Sequence, residues 1–261
     1  VIEDQKYSVL NPSIGLSYAI VKHQHFFFNF STSFETPTLS ELSANPSGDE
    51  GLNLNLDPSR AINYELGWKS ISSQTRLEAN GFYIKSSNEI LPYELEAFPG
   101  RSFYQNSGAT ERYGIELFGE FRWDSWNLQA SLTQASYGFD TAKDNSSELE
   151  GKRLPGIPNS QGFIQLEYTS PNKWQFQFTG EHIGNFYANN SNTAQVDSYQ
   201  RLRLQGRKGL DFSWGKLDIF AGINNLLNAS YFDNIRLNAF GGRFYEPAAG
   251  RNFFGGLSFG F

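Results

Sequence analysis

Apolar and polar residues alternate along most of this chain. In the segment 62–69 every second position is apolar, at Ile62, Tyr64, Leu66 and Trp68. A period of two places the apolar side chains on one face of an extended strand and the polar side chains on the other. Repetition of this pattern predicts eleven strands, at residues 7–21, 24–35, 59–70, 74–91, 108–123, 125–139, 159–170, 173–187, 198–212, 215–229 and 251–261.

The connections between the predicted strands alternate in length. Short turns are predicted near 22–23, 71–73, 124, 171–172 and 213–214, and long loops at 36–58, 92–107, 140–158, 188–197 and 230–250. Short turns at one end of a sheet and long loops at the other are typical of outer-membrane barrels. Many of the strands are also longer than the roughly 5–6 residues usual in soluble sheets. We therefore expect an all-β fold, an antiparallel transmembrane β-barrel.

One position breaks the alternation. In the strand predicted at 198–212, Lys208 falls on the apolar face. Gly206 and Gly209 lie on either side of it, and a β-bulge at one of these glycines would return Lys208 to the polar face. We therefore expect an irregularity in this strand.

The tryptophans are confined to one part of the pattern. All five lie within about three residues of a predicted short turn, a spacing that fits the interfacial preference of their amphipathic rings: Trp68, Trp123, Trp126, Trp174 and Trp214. We expect them to form the aromatic girdle at the periplasmic side of a membrane barrel. Tryptophans that merely end strands would give the same pattern.

Composition excludes several classes of protein. The 261 residues include 21 Lys and Arg against 27 Asp and Glu, a formal net charge of −6, which is unsuited to binding nucleic-acid phosphates. With no cysteine and no methionine, the chain is neither a disulfide scaffold nor an iron–sulfur or thiol-dependent protein. It has no apolar run approaching the ~20 residues of a spanning helix. Aromatic residues make up 16% of the chain, which fits alternating strands with an apolar face.

The odd number of predicted strands suggests an incomplete barrel. Bacterial single-chain barrels have an even number of strands, because both ends of the chain lie on the periplasmic side. Here the first and the last of the eleven predicted strands both run towards the periplasm. We therefore expect residues 1–261 to be the C-terminal part of a barrel, with further strands N-terminal to Val1.

Six segments carry residue combinations that are familiar when taken together. In chain order they are Phe-Ser-Thr-Ser-Phe-Glu-Thr-Pro-Thr-Leu-Ser-Glu-Leu at 30–42, Asn-Tyr-Glu-Leu-Gly-Trp-Lys at 63–69, Asn-Ser-Gly at 106–108 with Tyr-Gly-Ile-Glu-Leu at 113–117, Leu-Pro-Gly-Ile-Pro-Asn at 154–159, Ile-Asn-Asn-Leu-Leu-Asn-Ala-Ser-Tyr at 223–231, and Gly-Arg-Asn-Phe-Phe at 250–254 leading to Phe261. Spread in this order across nearly the whole chain, they resemble the C-terminal half of the barrel of TonB-dependent outer-membrane receptors.

The resemblance implies a fold, a location and a source of energy. Such receptors have a barrel of about 22 strands around an N-terminal plug, so eleven strands would be half of it. The location would be the outer membrane of a Gram-negative bacterium. The plug and the first strands would lie outside residues 1–261, and contact with the TonB complex would be made through that N-terminal region.

Residues suited to catalysis or metal binding are scarce. None of the three histidines is near a nucleophile motif, and we expect no enzyme: they are His23, His25 and His182. A copper receptor would need Met, His or Cys ligands, and the loop 36–58 contains no His for haem. Pairs of loop acids could bind Ca²⁺, although solvated acids give the same pattern: Asp49 with Glu50, and Asp140 with Asp144. We expect no metal and no cofactor.

Two groups of aromatic and basic residues in the long loops are candidate ligand contacts. The first comprises Tyr93, Phe98, Arg101, Phe103 and Tyr104, and the second comprises Arg236, Arg243, Phe244, Tyr245 and Arg251. Arginine offers paired donors to carboxylate, catecholate or hydroxamate oxygens, and aromatic rings stack on ligand rings. Such groups suit an anionic ferric siderophore. Packing between loops and contacts to lipopolysaccharide phosphates are the alternative roles.

The predicted last strand is apolar at alternate positions and ends on an aromatic residue. The residues concerned are Phe253, Leu257, Phe259 and Phe261. The resemblance implies that the barrel-assembly machinery recognises this strand. In physical terms it is an edge strand available for β-augmentation, although it could equally serve only to close the barrel.

Three functions are open at this point. The first is an outer-membrane receptor that binds and imports a scarce nutrient, a ferric siderophore above all, with energy from TonB. The second is a passive, porin-like channel without a plug. The third is a soluble β-sandwich, an adhesin or carbohydrate-binding protein, in which the apolar faces of two sheets would meet in a core instead of contacting lipid.

Overall fold

A computed structural model describes residues 6–47, 51–95, 97–98, 101–106, 108–144 and 147–261. Asp49 and Glu50, one pair of candidate Ca²⁺ ligands, lie outside these residues, as does Ser107. The side chain of Asp144 lies outside them as well. Among the described residues, no helix has the length and hydropathy to cross a membrane.

The described residues form eighteen strands, one α-helix and one short 3₁₀ segment. The strands are β1 (Ser13–Val21), β2 (Gln24–Glu35), β3 (Ser59–Ile71), β4 (Thr75–Ser87), β5 (Ile90–Glu94), β6 (Ser102–Asn106), β7 (Gly108–Trp123), β8 (Trp126–Asp144), β9 (Ser147–Glu148), β10 (Ser160–Thr169), β11 (Trp174–Ile183), β12 (Phe186–Tyr187), β13 (Gln195–Val196), β14 (Tyr199–Phe212), β15 (Gly215–Asn224), β16 (Phe232–Ile235), β17 (Tyr245–Pro247) and β18 (Asn252–Gly260). The helix α1 covers Leu39–Ser43, and the 3₁₀ segment covers Phe240–Gly242.

Eleven of these strands form one continuous antiparallel sheet. Their order is β1-β2-β3-β4-β7-β8-β10-β11-β14-β15-β18, so each main strand pairs with the next main strand along the chain, and the small β9 pairs with β8. The eleven strands predicted from the alternation are therefore confirmed. Within the described residues, β1 and β18 each pair on one side only, so the sheet has two open edges.

The apolar face of this sheet is exposed. Leu16 and Leu66 are each 63% exposed and Ile115 is 54% exposed, although all three lie in the middle of long strands. Register pairing places Leu16 opposite Phe28 and Phe28 opposite Leu66, so the exposed apolar side chains form bands across neighbouring strands. In the described part of the chain no second sheet covers this face. The soluble sandwich is therefore not favoured.

The opposite, polar face is concave. One cavity of about 950 Å³ is lined by residues from six consecutive strands of the sheet, from Ser17 on β1 to Thr133 on β8. On β3 the polar-face side chain of Glu65 is partly buried, whereas its apolar-face neighbours Tyr64 and Leu66 are exposed, as expected when the polar face is the inner one. The sheet thus curves with its polar side inward and its apolar side outward, the arrangement of a membrane barrel.

Five of the predicted strands differ by more than one residue at one end from the range that the alternation suggested, and the strand predicted at 125–139 continues to Asp144. The strand predicted at 74–91 ends at Ser87, because Asn88 has a positive φ of 57° that an extended strand cannot contain. The strand predicted at 215–229 ends at Asn224 for the same reason, since Asn225 has φ 49°. The first strand starts at Ser13 instead of residue 7, and the one predicted at 173–187 ends at Ile183.

The expected bulge near Lys208 is absent, and that prediction was wrong. Strand β14 pairs without a register shift against β11, where Lys208 lies opposite Trp174, and against β15, where it lies opposite Ile219. Lys208 therefore stays on the apolar face. Its Nζ lies 5.1 Å from the centre of the Trp174 ring and donates to the carbonyl of Asn172 in the adjacent short turn. The flexible side chain carries its charge away from the apolar band to the end of the sheet.

The predicted long loops contain structure of their own. Helix α1 begins at a capping box, in which Thr38 Oγ1 accepts from the Glu41 amide at 3.3 Å and the Thr38 amide donates to Glu41 Oε2 at 2.7 Å. Strand pairs β5–β6, β12–β13 and β16–β17 form small hairpins in three other loops. Most buried apolar residues lie at this end of the sheet, among them Leu42, Leu56, Phe103, Leu149, Phe186 and Val196. The hydrophobic core therefore lies between loops and not between sheets.

Candidate functional site

Four loops meet around a cavity at the long-loop end of the sheet. The cavity has a volume of about 640 Å³, and its walls come from the hairpin β5–β6, the segment after β9, the β12–β13 loop and the loop after β16. Its lining is mostly apolar, with three polar residues: Leu91, Pro92, Tyr93, Ser102, Phe139, Leu154, Pro155, Ile157, Asn190, Leu237 and Asn238. A concave, mostly apolar cavity with a few polar groups is the usual form of a small-molecule site.

Two contacts hold these loops together. Asn190 and Asn238 form a reciprocal pair, in which the Asn190 amide donates to Asn238 Oδ1 at 2.9 Å and Asn238 Nδ2 donates to Asn190 Oδ1 at 3.2 Å. Arg153 joins the loop after β9 to the loop after β11, because its Nη2 donates to the Asn185 carbonyl at 2.9 Å and its guanidinium lies 5.5 Å from the Tyr187 ring. These contacts connect the loops that surround the cavity.

The first group of predicted ligand contacts is brought together on the hairpin β5–β6. Arg101 lies over the ring of Phe103 at 5.1 Å, and the same ring lies 5.7 Å from Phe98 and 6.1 Å from Tyr93. Phe103 is fully buried, so it supports the cluster from beneath, whereas Phe98 and Arg101 are exposed. Tyr104 holds the neighbouring loop, since its carbonyl accepts from Asn53 Nδ2 at 3.4 Å. Among these residues only Tyr93 lines the cavity.

The second group is spread along the hairpin β16–β17 and beyond it. Arg236 Nε donates to Glu246 Oε1 at 2.7 Å, across the two strands. Tyr245 stacks on Phe232 with the ring centres 4.6 Å apart, and its hydroxyl donates to the Gln195 carbonyl at 3.3 Å. Phe244 contacts the small core around Phe186 and Val196, while Arg243 and Arg251 are exposed. None of these residues lines the cavity between the loops.

Sequence reasoning missed most of the residues that form the cavity. Leu154, Pro155 and Ile157 belong to a segment noticed only for its resemblance to a receptor motif. Asn190, Leu237 and Asn238 carried no signal, because isolated Asn and Leu residues in loops have no distinctive spacing. Their roles depend on contacts between loops that are 30 or more residues apart in sequence, as the Asn190–Asn238 pair shows.

A row of polar residues crosses the concave face of the sheet. Register pairs join Arg76 to Glu120, Glu120 to Gln129, Gln129 to Gln165, Gln165 to Thr179, and Thr179 to Arg203. Leu204 lies opposite Ile223, which places Asn224 beside Arg203, and Asn224 pairs with Asn252. The row begins near a short turn at Arg76 and ends at the long-loop end at Asn252.

This row runs obliquely from the short-turn end of the sheet to its long-loop end. Its seven steps of about 4.8 Å give about 34 Å, and a strand tilt of about 40° turns this into a rise of about 22 Å. The neighbouring row, two residues nearer the long loops on each strand, is interrupted by Phe118 and Phe163. The row two residues nearer the short turns ends on Phe254. A polar path therefore leads from one end of the concave face to the other.

The upper part of this row lines a second, polar cavity of about 450 Å³. Two arginines line this cavity, and they differ in whether their charge is compensated by an ion pair. Arg201 is held by Glu181, to which its Nε donates at 2.7 Å, and by the Tyr231 hydroxyl at 3.3 Å. Arg203 lies 4.9 Å over the Phe254 ring and donates to Gln205 at 2.8 Å, but among the described residues it has no ion pair. Asp233 contributes a carboxylate to the same cavity.

The tryptophans all lie at the short-turn end of the sheet, on the apolar face or in the turn itself. Trp123 stacks on Trp126 with ring centres 6.4 Å apart, and Trp126 lies 4.7 Å from Tyr168 on the next strand. Trp174 stacks on Phe176, and Trp214 lies between Phe212 and Phe259, while Trp68 pairs with Phe26 across β2 and β3. The five tryptophans therefore form a belt at the short-turn end of the sheet, and their role as a membrane girdle stays a prediction.

Strand β18 is an edge strand with exposed apolar side chains. Phe253 is 74% exposed and Leu257 is 70% exposed, both on the apolar face. Phe259 contacts Trp214 and also the terminal Phe261, whose ring centre is 4.9 Å away. The predicted assembly signal thus lies on an open edge.

One hydrogen bond was not foreseen from the sequence. Ser160 Oγ lies 3.3 Å from His182 Nε2, as the nucleophile and base of a hydrolase would. His182 Nδ1 is buried without a hydrogen-bond partner, so the third group that orients the base in a catalytic triad is not present at this pair. Among the described residues there is also no group of three His, Cys, Asp or Glu that could hold a metal.

Comparison with known proteins gives a consistent result. Residues 2–226 match the model of the family described as TonB dependent receptor-like, beta-barrel. The chain is 24% identical over 240 residues to the ferric-pyoverdine 358 receptor of Pseudomonas putida, covering 86% of this chain and 26% of that protein.

Solved structures agree in fold. The ferric-catecholate import receptor Fiu of E. coli K12 matches with a TM-score of 0.73 and 20% identity, over 95% of this chain and 34% of that one. The FrpB iron transporter of Neisseria meningitidis matches with a TM-score of 0.73 and 15% identity, over 96% and 39%. The chain thus spans between a quarter and two fifths of the length of these relatives. It belongs to the TonB-dependent receptors, a family of outer-membrane transport receptors and not of enzymes, and it forms part of their β-barrel.

Proposed function

We propose that this chain is the C-terminal part of a receptor that imports a ferric siderophore across the outer membrane of a Gram-negative bacterium, with energy from TonB. The observation that carries the proposal is the form of the sheet. Its apolar face is exposed, its polar face is concave, and packed loops cover one end. An exposed apolar face needs lipid, and a concave polar face provides a path through the membrane.

The open edges support a longer protein. Strands β1 and β18 each present unpaired backbone groups, and a barrel in lipid must satisfy all such groups by closing. We propose that strands N-terminal to residue 1 pair with both edges and enclose a plug, and that the TonB complex contacts this N-terminal region. In the same protein, β18 would be the strand that the barrel-assembly machinery recognises, and the tryptophan belt would mark the periplasmic interface.

The loops support binding of an anionic, partly aromatic ligand. Phe98, Arg101, Arg243 and Tyr245 are exposed on two separate hairpins that flank the loop cavity. Arginine binds the oxygens of ferric chelates and aromatic rings stack on planar ligand groups. The ligand would first contact these hairpins and then enter the barrel. Lipopolysaccharide phosphates would meet the outward-facing charged residues near the loops, such as Arg60.

The test is uptake by cells that express the full-length protein. Radioactive iron is supplied as a panel of ferric carboxylate, catecholate and hydroxamate siderophores to a strain that lacks its own receptors for them. The expected result is uptake of at least one complex, and loss of that uptake when tonB is deleted. Uptake that persists without TonB would indicate a passive porin-like channel. A purified protein that stays monodisperse without detergent would contradict the membrane assignment altogether.

A further inference from the structure

We infer that the polar cavity beneath the loops is an anion-binding subsite on the barrel wall, and that Arg203 is the residue that binds the anion. The inference deepens the proposed import function and takes its biological meaning from it. It concerns a second position of the ligand, below the loop hairpins. The expected ligand group is an oxygen-rich anion, such as a carboxylate or a chelating oxygen of an iron complex.

The first argument is the position of Arg203. It lies on the concave face, opposite Thr179, in the uninterrupted row of polar residues that rises across the sheet. Gln165, Thr179, Asn224 and Asn252 of the same row line one cavity with it. A ligand group in this cavity would therefore meet one guanidinium surrounded by amide and hydroxyl groups, which can both donate and accept hydrogen bonds.

The second argument is the difference between the two arginines of the cavity. The charge of Arg201 is compensated by Glu181, with which it forms a close ion pair, and its orientation is fixed by Tyr231. Arg203 is exposed and has only Gln205 and the face of Phe254 as described partners. A guanidinium has five N–H donors, so most of the donors of Arg203 remain available to a ligand.

The third argument is that an aromatic ring beside the cavity orients Arg203. The Phe254 ring lies under its guanidinium at 4.9 Å, and the same ring lies over Gly222, where an added Cβ would fall 2.4 Å from Phe254 Cζ. The ring thus lies close over the backbone of β15, and the absence of a side chain at Gly222 allows this position. A guanidinium that is already oriented by such a contact loses less conformational entropy when a ligand binds, which favours affinity.

The charges predict effects of opposite sign for two substitutions. Asp233 lines the same cavity and repels an anion, whereas Arg203 attracts it. Arg203→Gln should therefore weaken anion binding, and Asp233→Asn should strengthen it. A purely structural role for both residues would make both substitutions harmful or both neutral. Arg207 provides the matched control, since it lies on the same face of β14 but pairs with Asp218 at 2.6 Å, outside the cavity.

The experiment is calorimetric titration of the full-length receptor in detergent with citrate, an oxygen-rich anion, at low salt. The expected result is that Arg203→Gln weakens citrate binding at least fivefold, Arg203→Lys weakens it less, Asp233→Asn strengthens it two- to threefold, and Arg207→Gln leaves it unchanged. Each protein is first checked for folding by its heat-dependent mobility on gels. If Arg203→Gln does not fold, Arg203→Lys should still weaken citrate binding and Asp233→Asn should still strengthen it.

Two results would overturn the inference. One is wild-type protein that binds no citrate, and the other is citrate binding that does not respond to Arg203 and Asp233 with opposite signs. Neither result depends on transport, so both are distinguishable from a failure of the import proposal. Conversely, a receptor that binds citrate through Arg203 but imports no siderophore would support the anion subsite and contradict the import proposal.

Discussion

Leu237 packs directly against the backbone of Gly156. The Cδ1 atom of Leu237 lies 2.8 Å from the position that a Cβ on residue 156 would occupy, and its Cδ2 lies 3.0 Å from it. Gly156 has φ 78°, and its amide donates to the Tyr187 carbonyl at 2.8 Å. Two requirements favour glycine at this position. One is the positive φ, and the other is that the Leu237 side chain occupies the place of a Cβ. The contact joins the loop after β9 to the loop after β16 at the rim of the loop cavity.

A substitution at this glycine should release the loop after β16. In Gly156→Ala the new methyl group displaces Leu237, and the Asn238 amide, which donates to the Ala188 carbonyl at 2.9 Å, loses support. We expect hydrogen-exchange protection of the Asn238 amide to fall about tenfold, equivalent to about 1.4 kcal/mol. Measurement is by exchange followed with mass spectrometry on the full-length protein.

The matched control for this prediction is Gly151→Ala. Gly151 has φ 73°, almost the same as Gly156, but no atom lies within 4 Å of the position that a Cβ would take there. Both variants strain the backbone equally, by roughly 1 kcal/mol. Only the change at Gly156 should therefore affect Asn238. Equal effects of the two variants would show that backbone strain, and not the Leu237 contact, holds the loop.

Asn225 should be far more important for stability than its neighbour Asn228. Asn225 is only 1% exposed, and its amide satisfies the N–H of Ala229 at 2.8 Å, the carbonyl of Ala229 at 2.9 Å and the carbonyl of Ala249 at 3.3 Å. Asn225→Ala leaves these backbone groups without partners, at about 1–3 kcal/mol for each group that stays buried. Thermal unfolding, followed by the change in gel mobility, should show a large decrease in midpoint.

Asn228→Ala is the comparison. Asn228 also has a positive φ, 54° against 49° for Asn225, but it is exposed, and its Oδ1 accepts one bond from the Arg251 amide at 2.8 Å. Water can replace that bond. We therefore expect the loss of stability in Asn228→Ala to be smaller than in Asn225→Ala by about 2 kcal/mol or more. Similar losses would mean that the backbone conformation, and not the buried amide, determines stability here.

The main sheet could be predicted from the sequence because its signal is local. Each strand repeats apolar residues every second position, and one face must be apolar throughout if it contacts lipid. The prediction failed only at strand ends and at the expected bulge. The apolar pattern continues past Asn88 as far as Ile90 and Leu91, but a positive φ at Asn88 ends β4 before them. Such a break depends on one backbone angle and leaves no mark in hydrophobic periodicity.

The loop cavity could not be predicted, because its walls come from distant parts of the chain. Tyr93, Leu154 and Leu237 face the same space although more than 140 residues separate the first from the last. The sequence marks Tyr93 as one of several aromatic residues and gives no reason to choose it. Aromatic and basic composition identified the two hairpins as a source of exposed side chains, but it could not show that Phe103 would be buried beneath its own cluster.

The hairpin β16–β17 should loosen in acid. Asn234 donates to Glu246 at 3.2 Å and Arg236 donates to it at 2.7 Å, and these two partners lower the pKa of the Glu246 carboxyl below its ordinary value. A lowered pKa in the folded state stabilises the hairpin above the ordinary pKa of Glu, and this contribution is lost as the pH falls through the lowered value. The protection factor of the Arg236 amide, which is its exchange rate relative to the intrinsic rate at the same pH, should therefore fall at acid pH.

The control for the acid effect is Glu246→Gln. The glutamine keeps the shape of the side chain and one acceptor oxygen but cannot be protonated in this range, so the acid-dependent step in exchange should disappear. The Arg236 amide, which donates to the Phe244 carbonyl at 2.9 Å, reports on the hairpin in both proteins. A step that persists in the variant would assign the pH dependence to another group.

Two adjacent residues of β8 provide a direct test of lipid contact. Leu132 lies on the apolar face and is 46% exposed, whereas Ser131 lies on the concave face opposite Phe118. Leu132 is six residues beyond Trp126, which is about 20 Å along a tilted strand and places it near the middle of an apolar band about 25 Å tall. In lipid, Leu132→Arg should cost about 2–4 kcal/mol, while Ser131→Arg faces water and should cost little. In a protein surrounded by water both positions would tolerate Arg equally, since both are exposed. Refolding into lipid vesicles over a denaturant series measures both values, and an equal tolerance of the two substitutions would contradict the membrane-facing assignment of the apolar surface.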